Sequence, residues 1–104
     1  MTILFNADNN LTVHEGFRNK LKDHLLDELE RFSDRITRVE AHLSDDNGHK
    51  YGDADKNCLL EVRIEGRQPI AVKAGAGSYE VAVQRAIDKL KSSLDTIFSR
   101  MKEH

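Results

Sequence analysis

Tryptophan is missing from this 104-residue chain, and aromatic residues of all kinds make up 6% of it. With so few rings, the chain offers little of the stacking platform that proteins use to hold unpaired bases. The one cysteine, Cys58, excludes an internal disulfide and fits a reducing compartment. No run approaches the about 20 apolar residues that span a bilayer. The opening MTILFNADNN lacks the basic start and long apolar stretch of a secretion signal. These absences lead us to expect a cytoplasmic protein with no membrane partner. Neither charge sign is in large excess: 16 Lys and Arg stand against 18 Asp and Glu, for a net charge of −2. With a pI near 6.2 the chain is no general polycation, although local patches can still be basic.

Hydrophobic residues are 38% of the chain and charged residues 33%. That balance and length suit one domain with one core, spanning residues 1–104. Ile3 to Phe5 reads as a first strand, closed by the turn-rich NADNN. Thr12 and Glu15 have capping-box spacing and open a helix over about His14 to Phe32. Its apolar face is Phe17, Leu21, Leu25, Leu29 and Phe32, at steps of four and three. From Thr37 the period becomes two: Val39, Ala41 and Leu43 alternate with polar residues, as in a half-buried strand. Ser44 to Asn57 is a polar loop. A third strand starts at Cys58 and continues with Leu60, Val62 and Ile64. EGRQP is a turn, and Ile70, Val72 and Ala74 form a fourth strand. AGAGS then turns into a long helix with Ser78 as N-cap. Its core face is Val83, Ala86, Ile87, Leu90, Leu94, Ile97 and Met101.

The predicted class is therefore α+β, in the order β-α-β-β-β-α. Strands two to four should form an antiparallel meander, and both helices should pack on one face of a four-stranded sheet. The other face would carry Glu40, His42, Glu61, Arg63, Glu65 and Lys73, mixed in sign and unlike a base-stacking sheet.

Catalytic and metal motifs are weak. The histidines (His14, His24, His42, His49 and His104) are scattered, with no zinc-type i,i+4 pair. Cys58 falls on the core side of its strand, where a thiol is a small hydrophobe. Asp45, Asp46, Asp53 and Asp55 crowd one loop but miss the EF-hand register, because Leu43 stands five residues before Gly48. AGAG lacks the Walker and dinucleotide patterns. No catalytic residue, metal or cofactor is expected, and no small-molecule substrate. The strongest remaining signal is positive charge on the helices. Arg18 and Lys22 lie i,i+4 with Lys20 nearby, and Arg85 and Lys89 repeat that spacing. Lying side by side, the helices would bring these charges into one phosphate-binding patch.

Three stretches carry a resemblance: Asn9 to Arg18 (NNLTVHEGFR), Phe32 to Val39 (FSDRITRV), and Ala86 to Leu90 (AIDKL) followed by Leu94. With the element order, they make the chain resemble the ribosome hibernation promoting factors. These are also called the ribosome-associated inhibitor or sigma-54 modulation family, and the match is to the short form. The resemblance implies a non-enzymatic protein that binds the small ribosomal subunit and its rRNA, in the channel used by messenger and transfer RNA. It implies silencing of translation in stationary phase or stress. Arg18 and Lys89 match basic family positions, and Lys22 and Arg85 lie on suitable faces. Lys20 and Arg100 complete the candidate RNA-binding set, and a monomer is expected.

Departures accompany the resemblance. DHLLDELER puts His24 and Asp27 where the family often has lysines. Ser78-Tyr79-Glu80 places the aromatic one position early, and Ser92, Thr96 and Phe98 replace later basic residues. Fewer cations mean weaker RNA affinity and a flatter salt dependence. The alternative is a divergent relative that keeps the fold as a protein-interaction module, with Phe98 exposed.

Overall fold

A computed structural model describes residues 1–7, 15–45 and 55–102, with backbone alone for 101 and 102. Strand β1 (Thr2–Ala7) leads to helix α1 (Glu15–Glu28), and β2 (Ile36–Asp45), β3 (Lys56–Ile64) and β4 (Ile70–Ala76) follow before helix α2 (Tyr79–Lys102). The order in the sheet is β1-β2-β3-β4. β2, β3 and β4 form the antiparallel meander. β1 lies parallel to β2, with Ile3 opposite Val39 and Phe5 opposite Ala41. Two parallel neighbours need a long crossover, and α1 supplies it.

One face of the sheet makes the core. Ile3, Val39, Ala41, Leu43, Cys58, Leu60, Val62, Ile64, Ala74 and Ala76 are buried there with Leu21, Leu25, Ala82, Val83, Ala86, Ile87, Leu90 and Leu94 of the helices. Each fully buried Leu or Ile contributes on the order of 2 kcal/mol relative to exposure. Both helices therefore cover the same face, as the apolar periods require.

Several boundaries differ from those that the sequence pattern predicts. The first helix stops at Glu28, and Glu30–Phe32 form a separate 3-10 turn. The amide of Phe32 donates to the carbonyl of Leu29 at 2.9 Å, an i to i+3 bond that tightens the chain. That turn carries Phe32 into the core and starts the descent to β2. Ile36, which has the wrong parity for a strand containing Val39, is nevertheless buried. The register shifts between Ile36 and Arg38, so Thr37 is a bulge that restores Ile36 to the core face.

The hairpin of β2 and β3 reaches further than the polar composition implies. β2 runs to Asp45 and β3 begins at Lys56, where the Lys56 ammonium bonds Asp45 at 2.8 Å. The AGAGS turn is shorter: Ala74, Gly75 and Ala76 belong to β4, and only Gly77 and Ser78 turn. Small side chains at Ala74 and Ala76 let α2 approach the sheet closely. Ser78 is the N-cap, its Oγ accepting from the amide of Val81 at 3.3 Å. In the β3–β4 turn the amide of Arg67 donates to the carbonyl of Ile64, and Gly66 has φ 74°. A type II turn requires positive φ there, which glycine adopts without strain. Thr12, His14, Asp46, His49, Asp53 and His104 lie outside the described residues, as does the Met101 side chain.

Candidate nucleic-acid interface

Helix α1 turns Leu21 and Leu25 inward, which leaves Arg18, Lys20 and Lys22 exposed. None of the three forms an ion pair among the described residues. Lys20 borders a groove of about 420 Å³ with Asp23, His24, Asp27, Glu80 and Gln84, so its charge stands among carboxylates.

The seam between the helices is polar and acidic as much as basic. His24 Nε2 lies 2.6 Å from Gln84 Oε1. Glu28 accepts from Lys91 at 2.8 Å and from Gln84 at 3.3 Å. Those bonds, led by Lys91, hold the Glu28 carboxyl below its ordinary range. Arg31 pairs with Asp95 at 2.9 Å and lies over the Phe32 ring. Lys91 and Arg31 are cations outside the candidate set, and both are neutralised here. Their signal is present in the sequence: Gln84, Asp88, Lys91 and Asp95 form a polar row at helical spacing beside the apolar one.

Arg85 and Lys89 point to the other flank of α2. The Arg85 guanidinium donates to the Gly75 carbonyl at 2.9 Å, and the Lys89 ammonium to the Lys73 carbonyl at 2.8 Å. β4 is an edge strand, and these two side chains cover part of its edge. Both remain exposed and keep further N–H donors. Arg100 is exposed near the far end of α2.

At 100° per residue, Arg18 and Lys22 lie on the side of α1 away from His24 and Glu28, hence away from α2. The cations are thus not brought into one patch. Arg18 and Lys22 flank α1, Lys20 borders the groove between the helices, and Arg85 and Lys89 follow the β4 edge.

The departures also find places. His24 serves the seam, and Asp27 lines the groove beside Lys20. The Thr96 hydroxyl donates to the Ser92 carbonyl at 3.1 Å, so that pair turns back on the helix. Phe98 is half-buried, its ring centroid 5.6 Å from that of Phe32, and it packs against the core. The protein-module alternative expects Phe98 exposed, and here part of the ring is covered by the core and part is left at the surface. Cys58 is fully buried, and burial pushes its thiol up to about 12, leaving it protonated at neutral pH. Asp45 and Asp55 both face Lys56. On the opposite side of the sheet, His42 lies between Glu40 and Glu61. No helix among the described residues is long and apolar enough to cross a membrane.

A β-α-β-β-β-α sheet with two helices on one face and cations around the helical layer defines a class of small α+β domain. The chain belongs to the family described as sigma 54 modulation protein / S30EA ribosomal protein, whose model matches residues 7–102. Among solved structures it is similar to a ribosomal subunit interface protein from Coxiella burnetii. The TM-score is 0.75 at 16% identity, covering 95% of this chain and 99% of that one. It is also similar to the N-terminal domain of Protein Y from Thermus thermophilus, with TM-score 0.66 at 19% identity, covering 92% of this chain and 94% of that one. At such identities the likeness establishes the fold. No curated protein matches the chain by sequence.

Proposed function

We propose that this chain is a non-enzymatic, cytoplasmic ribosome-associated factor. It binds the small subunit through rRNA in the channel used by messenger and transfer RNA, and it holds translation down in stationary phase or stress. The observation that carries this reading is the exposed set Arg18, Lys20, Lys22, Arg85 and Lys89 around the helices of an S30EA-family fold. Folded RNA hides its bases in a deep groove and presents phosphates and 2′-hydroxyls. Flexible cations held on a rigid helical layer suit that target, and a sheet short of aromatics does not hinder it. Two separated flanks of charge suit a cleft with RNA on both sides. The carboxylates at the seam moderate affinity, and phosphate contacts make binding salt-sensitive.

Cosedimentation of the purified protein with ribosomes through a salt series tests this. The protein should travel with small subunits at low salt and dissociate as salt rises. Arg18→Glu and Lys89→Glu should each weaken binding by about tenfold. Circular dichroism must show Lys89→Glu folded, because Lys89 also covers the β4 edge. A folded native chain that stays in the supernatant at low salt would overturn the proposal.

A further inference from the structure

We propose that Glu40, His42 and Glu61, on the sheet face opposite the helices, form a binding site for a divalent transition-metal ion of the zinc type. Strand register brings the three together. Glu40 of β2 and Glu61 of β3 are direct cross-strand partners, and His42 follows Glu40 by two residues on the same face. Like charges placed directly opposite in a sheet repel. Arg38 meets Glu40 from one side, and a cation held between the two carboxylates would offset the repulsion that is left.

The side-chain geometry places an imidazole nitrogen there. His42 Nε2 lies 3.4 Å from Glu40 Oε2 and 3.2 Å from Glu61 Oε1. Ligand atoms from all three residues fall within 4.8 Å of one another. Zinc bonds nitrogen and oxygen at about 2.0–2.1 Å, so two ligands on one tetrahedral ion stand about 3.3 Å apart. Both distances match that edge. Nε2 is shielded from solvent yet makes no hydrogen bond. In a neutral ring with its proton on Nδ1, Nε2 would turn a lone pair toward an ion held between the two carboxylates. Arg38 pairs with Oε1 of Glu40, leaving Oε2 toward His42. A charged partner on the far oxygen is how metal-binding carboxylates are commonly oriented.

One imidazole and two carboxylates favour a borderline ion over magnesium, which prefers all-oxygen octahedral sites. Glu61 is half-exposed, so a bound ion would keep an open position for water. The ion would tie β2 to β3 on the face that the helices do not cover. The site is independent of the ribosome reading.

Zinc chloride titrated calorimetrically into the metal-free full chain at about pH 8, where imidazoles are neutral, tests the proposal. Imidazole nitrogen resonances are followed in parallel. We expect one equivalent of zinc per chain, a shift of the His42 signals first, and no displacement by equimolar magnesium. His42→Ala and Glu61→Gln should each weaken uptake by at least about tenfold, while His24→Ala leaves it unchanged. No zinc uptake overturns the proposal. So does uptake that first moves another histidine, or that persists undiminished in both site variants. The resonance reading on the native chain decides even where a variant folds poorly.

Discussion

Glu28 is a single carboxylate whose surroundings make a pH dependence. Hydrogen bonds from Lys91 and Gln84 hold its pKa below the ordinary value of 4.5. A carboxyl depressed in the folded state contributes stability that is present above the unfolded pKa. It is lost as pH falls through the folded pKa. The native chain should therefore exceed Glu28→Gln in thermal stability above about pH 5, with the gap closing in more acid solution. Partial exposure keeps the difference below about 1 kcal/mol. Thermal melts of the two proteins from about pH 7 down to about pH 3 check the sign. A gap that widens in acid would contradict the assignment. Cys58 shows the contrary case at this scale, because a thiol raised to about 12 and fully buried has no thiolate to offer at neutral pH.

The docking of α2 on β4 depends on small side chains. Ala74 and Ala76 of the strand share the core with Ala82 and Ala86 of the helix, all buried. Adding methyl groups there should push the layers apart. Ala76→Val is expected to cost about 1–3 kcal/mol in urea unfolding, although valine suits a strand better than alanine. An unchanged midpoint would mean that the interface has slack. The same elements show what local pattern reveals and what it conceals. The alternation of Val39, Ala41 and Leu43 announces β2, but Ile36 is out of phase with it. Its burial needs the Thr37 bulge, which forms only against Arg63 of β3. The apolar period runs unbroken through Phe32, yet the chain tightens at Leu29 because β2 must start nearby. Ser78 is legible as a cap because capping is a contact within one turn.

Over the whole molecule the cations divide into two groups, and the ribosome proposal inherits that division. Reversing Arg18 with Lys22 removes charge from one flank, and reversing Arg85 with Lys89 removes it from the other. With no shared partner between the groups, the two reductions in ribosome affinity should add. The salt slope should fall by about one for each phosphate that the protein ceases to neutralise. Cosedimentation of the two double variants and of the quadruple variant measures this. A flank whose reversal changes nothing is not in contact with RNA.

Apolar spacing along the chain is enough to find four strands, two helices and the face each one buries. Those features follow from periods of two and 3.6, which any short segment carries within itself. The stretches NNLTVHEGFR, FSDRITRV and AIDKL carry the family for the same reason, since each is contiguous. The separation of Arg18 and Lys22 from Arg85 and Lys89 is beyond any such reading. So is the meeting of His42 with Glu61, and the neutralising of Lys91 by Glu28. Each depends on strand order and on the way two helices lie over one sheet, and side chains far apart in sequence meet only once the common core has formed.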